Sequence, residues 1–246
     1  MKIVRFAWGD AALYGILEGD TIYSLHGDLF GEFHKGKEKC ALGDARLLAP
    51  VQPSKIVAIG FNYPRPDPMG PPMPFFKVPT CLVAQGEPVV LPPETQDVVM
   101  EAELAVVIGR RAHRVSVAEA MGYILGYTCV NDITARDITR QEGKPIRSKN
   151  FDTFCPLGPA METELDPADV RIVSRINGVV KQDGRTSQMV LNVPKLVSQF
   201  SHMVTLLPGD VILSGTPGTP PAIQAGDVME VEVQGIGVLR NPVTRV

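Results

Sequence analysis

The chain has 246 residues, 44% of them apolar and 21% charged, with a formal net charge of −3. That length suits one large domain, or a large domain with a small appendage, built around a sizeable core. The balance of charge offers no footprint for nucleic acid or an anionic membrane. No apolar run approaches the ~20 residues that cross a bilayer.

In chain order, the opening MKIVRFAWGDAALYG lacks the apolar h-region of a signal peptide, so a cytoplasmic protein is expected. Residues 1–49 read as a small N-terminal β unit. KIVRFAW, LYGILEG and TIYSL are separated by Gly-Asp turn signals, as in a meander. Residues 50–246 then form the main domain. Its first stretch, Pro50 to Pro93, holds more than half of the 22 prolines and reads as ordered loops between short edge strands. Strand patterns follow in AELAVVIG, YILGYTCVND, VRIVSRING, DVILSG and DVMEVEVQGIGVL. The helical signals are SVAEAMG, with Ser116 as N-cap three residues before Glu119, and LNVPKLVSQFSHM. The fold class is therefore mostly β with a few helices. Cys40, Cys81, Cys129 and Cys155 are scattered without a C-x-x-C pair, which suits reduced thiols rather than a zinc site or disulfide framework.

The segment VVMEAELAVVIG (98–109) raises a physical question. Glu101 and Glu103 share one face of an otherwise apolar strand, and Ala105 and Val107 continue that face. A solvated strand face explains the glutamates but not the apolar continuation. Two carboxylates ~6–7 Å apart along a strand repel unless a cation or bases lie between them. Asp132 ends the next apolar strand where a helical turn begins. It is either an N-cap, with Arg136 paired one turn later, or a ligand-facing carboxylate. Three carboxylates from two strands would suit a hard divalent cation such as Mg²⁺. Lys149 stands at the mouth of an apolar run (Phe151, Phe154, Cys155, Leu157), and Lys77 is flanked by phenylalanine in MPFFKVP. Thr216, in SGTPG at a strand end, offers a hydroxyl and a backbone N–H to an anion.

Taken in order, EAELAVVIG, GYxxxNDxTARD, KxFDTFxPLGP, INGxxxQDG and LxPGDVIxSGTP resemble the fumarylacetoacetate hydrolase family, from about Pro50 to the C-terminus. Within it the chain is similar to the short bacterial members, which include 2-hydroxyhepta-2,4-diene-1,7-dioate isomerases, decarboxylases and acylpyruvate hydrolases. The resemblance implies a mixed β-roll or sandwich around a Mg²⁺ or Mn²⁺ site, in a homodimer. It implies Glu101, Glu103 and Asp132 as metal ligands, Lys149 as the active-site lysine, and Thr216 in a substrate-facing turn. Lys77 and Arg136 match positions near the site. The implied substrate is a small 2-oxo acid or 2-hydroxydienoic dicarboxylic acid, carried through an enolate. A metal-binding regulatory module and a structural β domain are the non-enzyme alternatives.

Two departures from the family pattern stand out. After G-x-N-Y the family commonly carries an H-x-x-E pair that serves as a lid and helps activate water, whereas residues 64–74 here contain no histidine. That favours isomerase or decarboxylase over hydrolase, and places an exposed, proline-rich loop over the mouth of the site. The second departure is GTPGTPPA in place of G-T-P-x-G-V, which implies a reshaped loop after Thr216.

Overall fold

The computed structural model describes residues 1–64 and 70–246. The N-terminal meander consists of β1 (Lys2–Trp8), β2 (Ala11–Glu18), β3 (Thr21–Gly27) and β4 (Phe33–Ala41), and β5 (Arg46–Leu48) returns against β1. The proline-rich stretch yields the short strands β6 (Ile56–Gly60), β7 (Met73–Lys77), β8 (Leu82–Val83) and β9 (Val89–Leu91). Next come β10 (Val98–Val99), β11 (Ala102–Ile108), β12 (Ile124–Asn131), β13 (Thr134–Ala135), α1 (Arg136–Glu142) and β14 (Cys155–Glu162). The chain finishes with β15 (Arg171–Ile176), β16 (Val179–Arg185), α2 (Val193–Met203), β17 (Val211–Leu213), β18 (Val228–Val233) and β19 (Gly237–Arg245).

The larger sheet runs β4-β3-β2-β1-β14-β12-β11-β17-β6-β7, with β5 on β1 and β8 on β14. The smaller runs β16-β15-β18-β19-β9, and β10 pairs with β13. Parallel pairs (β6 with β17, β8 with β14, β9 with β19) mix with antiparallel ones. The fold is mostly β, as the strand patterns predict. The meander joins the main sheet directly, because β1 also pairs with β14.

β11 is buried along its whole length. Leu104, Val106 and Ile108 pack with Ile172, Val231 and Leu239 between the two sheets. Ala105 and Val107 face the opposite way, among Ile3, Ile56, Leu157 and Leu213. A strand covered on both faces needs continuous apolar residues, each large one contributing about 2 kcal/mol on burial. The face that begins at Glu103 thus runs from a polar site into the core.

Two local expectations are revised. β6 lies between β17 and β7 rather than at an edge; it occupies the proline-free run between Pro53 and Pro64, so all its N–H groups can enter a ladder. β7, which contains Pro74, is the edge strand. SVAEAMG makes the Ser116–Glu119 capping contacts, with the Ser116 hydroxyl donating to Glu119 Oε2 at 2.6 Å, but forms only a 3₁₀ turn over Ala120–Tyr123. Strand β12 starts at Ile124, too soon for a helix to propagate. α2 forms as its pattern predicts. Asn192 caps it by accepting from Lys195 N–H at 3.2 Å, and Val193, Leu196, Val197 and Phe200 line its buried face. Among the described residues no helix is long and apolar enough to cross a membrane.

A buried carboxylate holds the parallel β6–β17 pair in register. Asp210 Oδ1 accepts from the backbone N–H of Ser54 (3.0 Å) and Lys55 (3.1 Å) and from the Ser54 hydroxyl (2.7 Å). Its Oδ2 accepts from Leu207 N–H at 2.7 Å and pairs with Lys55 Nζ. Removing it strands several donors at once. Asp210→Ala is expected to lower the unfolding free energy by about 3–5 kcal/mol in urea melts. Asp210→Asn, which keeps the Oδ1 acceptor, should lose less. A loss below about 1 kcal/mol for the alanine variant would rule the clamp out.

Candidate active site

The site gathers where β11, β12, β7 and the turn after β17 meet. Glu101 precedes β11 and Glu103 lies within it; Asp132 follows β12, which pairs with β11 so that Ala102 faces Asn131. Asn131 Oδ1 accepts from Glu101 N–H at 3.0 Å, and Asp132 N–H donates to Glu101 O at 2.9 Å, locking the two strand ends together. Glu101, Glu103 and Asp132 each offer a carboxylate oxygen within 4.8 Å of the others.

Two buried ammonium groups answer these carboxylates. Lys149 Nζ lies 2.6 Å from Asp132 Oδ2 and 2.9 Å from Glu101 Oε2. Lys77 Nζ, with a fully buried side chain, lies 2.8 Å from Asp132 Oδ1. Both oxygens of Asp132 therefore face an ammonium group. The Phe75 ring covers Lys149 Nζ at 5.1 Å from its centroid. Lys149 sits on a 3₁₀ turn (Arg147–Lys149) rather than on an extended approach. The turn buries Lys149 while leaving Arg147 on the surface with Glu142.

The electrostatics follow from the geometry. Burial opposes charge on Lys149, but Asp132, Glu101 and Glu103 outweigh it and raise its pKa, so it is a cation at neutral pH. Burial likewise opposes charge on Asp132, and the two lysines outweigh it and hold the carboxyl below its usual range. Glu103 has no such partner: burial, then Asp132 and Glu101, push its pKa well up. Its one strong contact is Gly215 N–H, donating to Oε2 at 2.6 Å. With two ammonium groups facing three carboxylates, Glu103 is the member that most resists ionisation.

The turn after β17 is shaped for that contact. Gly215 has φ +89°, and a Cβ there would meet Asn62 Cβ at 2.9 Å. The Thr216 hydroxyl donates to Ala102 O at 2.8 Å and accepts from Gln182 Nε2 at 2.8 Å. Its proton is thus committed to fastening the turn onto β11. Gln182 also donates to Pro217 O at 2.7 Å and accepts from Ala102 N–H at 3.3 Å. Asn62 anchors the turn from the other side, donating to Ser214 O at 2.8 Å and Leu191 O at 3.0 Å. Both residues lie in the motifs INGxxxQDG and GFNY, yet neither carries a charge or a motif-independent signal of its place.

The structure brings together Glu101, Glu103, Asp132, Lys149, Lys77 and Thr216. It does not bring Arg136. That guanidinium pairs with Asp97 at 2.8 Å, joined there by Arg140, and is half exposed. Asp132 is not a helix cap: β13 intervenes, and α1 starts at Arg136 with Ala135 in the cap position. Its carboxylate is left to the lysines. The expected lid over residues 64–74 falls in its middle on 65–69, outside the described residues, while the segment's end enters β7 beside Lys77.

Residues 48–244 match the fumarylacetoacetate (FAA) hydrolase C-terminal family, and residues 1–50 match the Rv2993c-like N-terminal family. The chain belongs to the fumarylacetoacetate hydrolase family. A 5-carboxymethyl-2-hydroxymuconate delta-isomerase from Mycobacterium smegmatis superposes with a TM-score of 0.95 at 41% identity, over 100% of both chains. A 2-hydroxyhepta-2,4-diene-1,7-dioate isomerase from Mycobacterium marinum gives 0.94 at 40%, over 100% of this chain and 98% of that one. Human oxaloacetate tautomerase FAHD2B is 40% identical over 81% of this chain and 70% of its own length. These relatives are enzymes, two isomerases and a tautomerase.

The donor set fits a hard divalent cation. All three groups are carboxylates, and each offers an oxygen within 4.8 Å of the others. Glu103→Gln should therefore act in opposite directions on two measurements. Mn²⁺ affinity by calorimetry should fall by more than the ~10–100-fold typical of an outer partner. Stability of the metal-free protein should hold or rise, because like-charge repulsion is relieved. Unchanged Mn²⁺ affinity would remove Glu103 from the ligand set.

Proposed function

We propose that this chain is a Mg²⁺- or Mn²⁺-dependent enzyme acting on 2-oxo or 2-hydroxydienoic dicarboxylic acids through an enolate. The leading activity is 2-hydroxyhepta-2,4-diene-1,7-dioate isomerisation, a keto–enol proton shift, or a related decarboxylation. The observation that carries this reading is the carboxylate triad, two of its members buried and Glu101 partly so, with Lys149 hydrogen-bonded to Glu101 and Asp132. A set like this is expensive for stability alone, because its charges are desolvated, and strongly perturbed groups of this kind cluster at functional sites.

A Mg²⁺ or Mn²⁺ ion held by Glu101, Glu103 and Asp132 would supply Lewis-acid stabilisation of negative charge on a substrate oxygen. With all three carboxylates ionised, the two lysines and a divalent cation would leave the set with a single positive charge, suited to an anionic substrate. Lys149 Nζ, oriented by Glu101 and Asp132, would hold charge developing on the substrate or carry the migrating proton. Lys77 fixes Asp132 from its other side and keeps that carboxylate ionised. Phe75 covers Lys149 and limits access of water.

Isomerisation and decarboxylation need only a proton carrier and an electron sink. Hydrolysis of a C–C bond also needs an activated water. The four histidines bond elsewhere or sit in the N-terminal unit: His26 to Glu38, His34 beside His26, His113 to Thr205 and His202 to Ser198 O. This favours proton transfer over hydrolysis. The oxaloacetate tautomerase relatives suggest oxaloacetate as a second substrate. A homodimer is the proposed assembly, which sedimentation would test.

With Mg²⁺ present, 2-hydroxyhepta-2,4-diene-1,7-dioate, oxaloacetate and acetylpyruvate form a decisive substrate panel. Ketonisation or decarboxylation should outpace release of pyruvate from acetylpyruvate; the reverse order would sink the proposal in favour of a hydrolase. Lys149→Met is expected to lower kcat by ~10²–10⁴-fold while Mg²⁺ affinity is retained. Ordinary kinetics in that variant would return Lys149 to a structural role.

A further inference from the structure

The two lysines of the site are held by one neutral side chain at the surface. β7 is the last strand of the large sheet, and its inner edge pairs with β6, with Lys77 opposite Ile56. Its free edge presents the carbonyl of Phe76 and the N–H of Val78, the backbone groups on either side of Lys77. Asn150 takes both. Its Oδ1 accepts from Val78 N–H at 2.6 Å, and its Nδ2 donates to Phe76 O at 3.2 Å. The amide thus pairs with β7 as another strand's backbone would.

The same amide reaches its own turn, Nδ2 donating to Ile146 O at 2.7 Å, while Asn150 N–H donates to Arg147 O at 3.1 Å. Asn150 directly follows Lys149 in the chain. Lys77 Nζ in turn donates to the backbone carbonyl of Lys149. The circuit closes: the Asn150 side chain holds the strand around Lys77, and the Lys77 side chain holds the turn that carries Lys149.

We infer that Asn150 is a positioning residue for both Lys77 and Lys149, setting the distance between β7 and the Arg147–Lys149 turn. Ordinary edge-strand contacts do not require this residue type. A carboxylate could accept from Val78 but not donate to Phe76 O, and an aliphatic side chain could do neither. The two ammonium groups converge on opposite oxygens of Asp132, so displacement of either segment moves a charge relative to the carboxylate set. A misplacement of ~1 Å in an oriented site costs about a hundredfold in rate.

The role in catalysis rests on the proposed function; the role in holding the lysines does not. Asn150→Ala and Asn150→Asp are therefore examined by two readouts. In the Mg²⁺-loaded protein, Asn150→Ala should lower kcat for the best 2-oxo acid by about a hundredfold, with KM and Mn²⁺ affinity nearly unchanged. Asn150→Asp, which keeps one of the two contacts to β7, should fall between it and the parent. Separately, lysine acylation mapped by mass spectrometry should find Lys77 and Lys149 protected in the parent and several-fold more reactive in Asn150→Ala, with other lysines unchanged. Parent-like labelling of both lysines overturns the inference, as does a loss of kcat matched by an equal loss of folded protein in urea melts. If Asn150→Ala does not fold, the same comparisons on Asn150→Asp decide the question. If the parent turns over no 2-oxo acid, the proposed function fails, and the labelling still decides the role of Asn150.

Discussion

The contact on which the site depends is Asp132 held between two lysines. One carboxylate, fully buried, takes Lys77 on one oxygen and Lys149 on the other. The two lysines hold the carboxyl of Asp132 below its usual range despite its burial. The consequence reaches three segments of chain: the end of β12, the edge strand β7 and the turn before β14. These segments lie far apart in the sequence, and the ion pairs join them.

The rest of the molecule supplies what such an arrangement needs. A desolvated ion network tolerates little motion, and β11 provides a rigid floor by being covered on both faces. Because the strand enters the core at Ala105, Glu103 is fixed by main-chain geometry before its carboxylate makes any contact. Asp210 repeats the device on a smaller scale, a buried carboxylate closing two strands whose connection is long in sequence. The G-T-P turn follows the strand that Asp210 fastens, and it delivers the one N–H that Glu103 accepts.

Glu103 stands apart in charge. Burial, then Asp132 and Glu101, raise its pKa against a smaller pull from Lys149, whereas both lysines lower that of Asp132 against its burial. Of the three carboxylates, Glu103 is the one left without an ammonium contact among the described residues.

Much of this was legible in the sequence. Glu101 and Glu103 two residues apart on an apolar strand, with Ala105 and Val107 continuing the face, announce a strand running from charge into core, because alternation is a local property of the strand backbone. The α2 helix and the N-terminal meander were legible for the same reason: caps, turns and periodicity act over a few residues. What only tertiary structure decided lies in contacts distant along the chain. Taken alone, Asp132 reads as a helix cap before it reads as a ligand, and the insertion of β13 before α1 ruled the cap out. Arg136 looked like a neighbour of the site, and Asp97, far back in the chain, claimed it. SVAEAMG carried the local signs of a helix, but the start of β12 left it no room. Lys77, Lys149, Gln182 and Asn62 met at one place only because separate strands of the two sheets packed together. No local pattern encodes that convergence, since the energy that drives it comes from burying side chains against partners the local sequence does not contain.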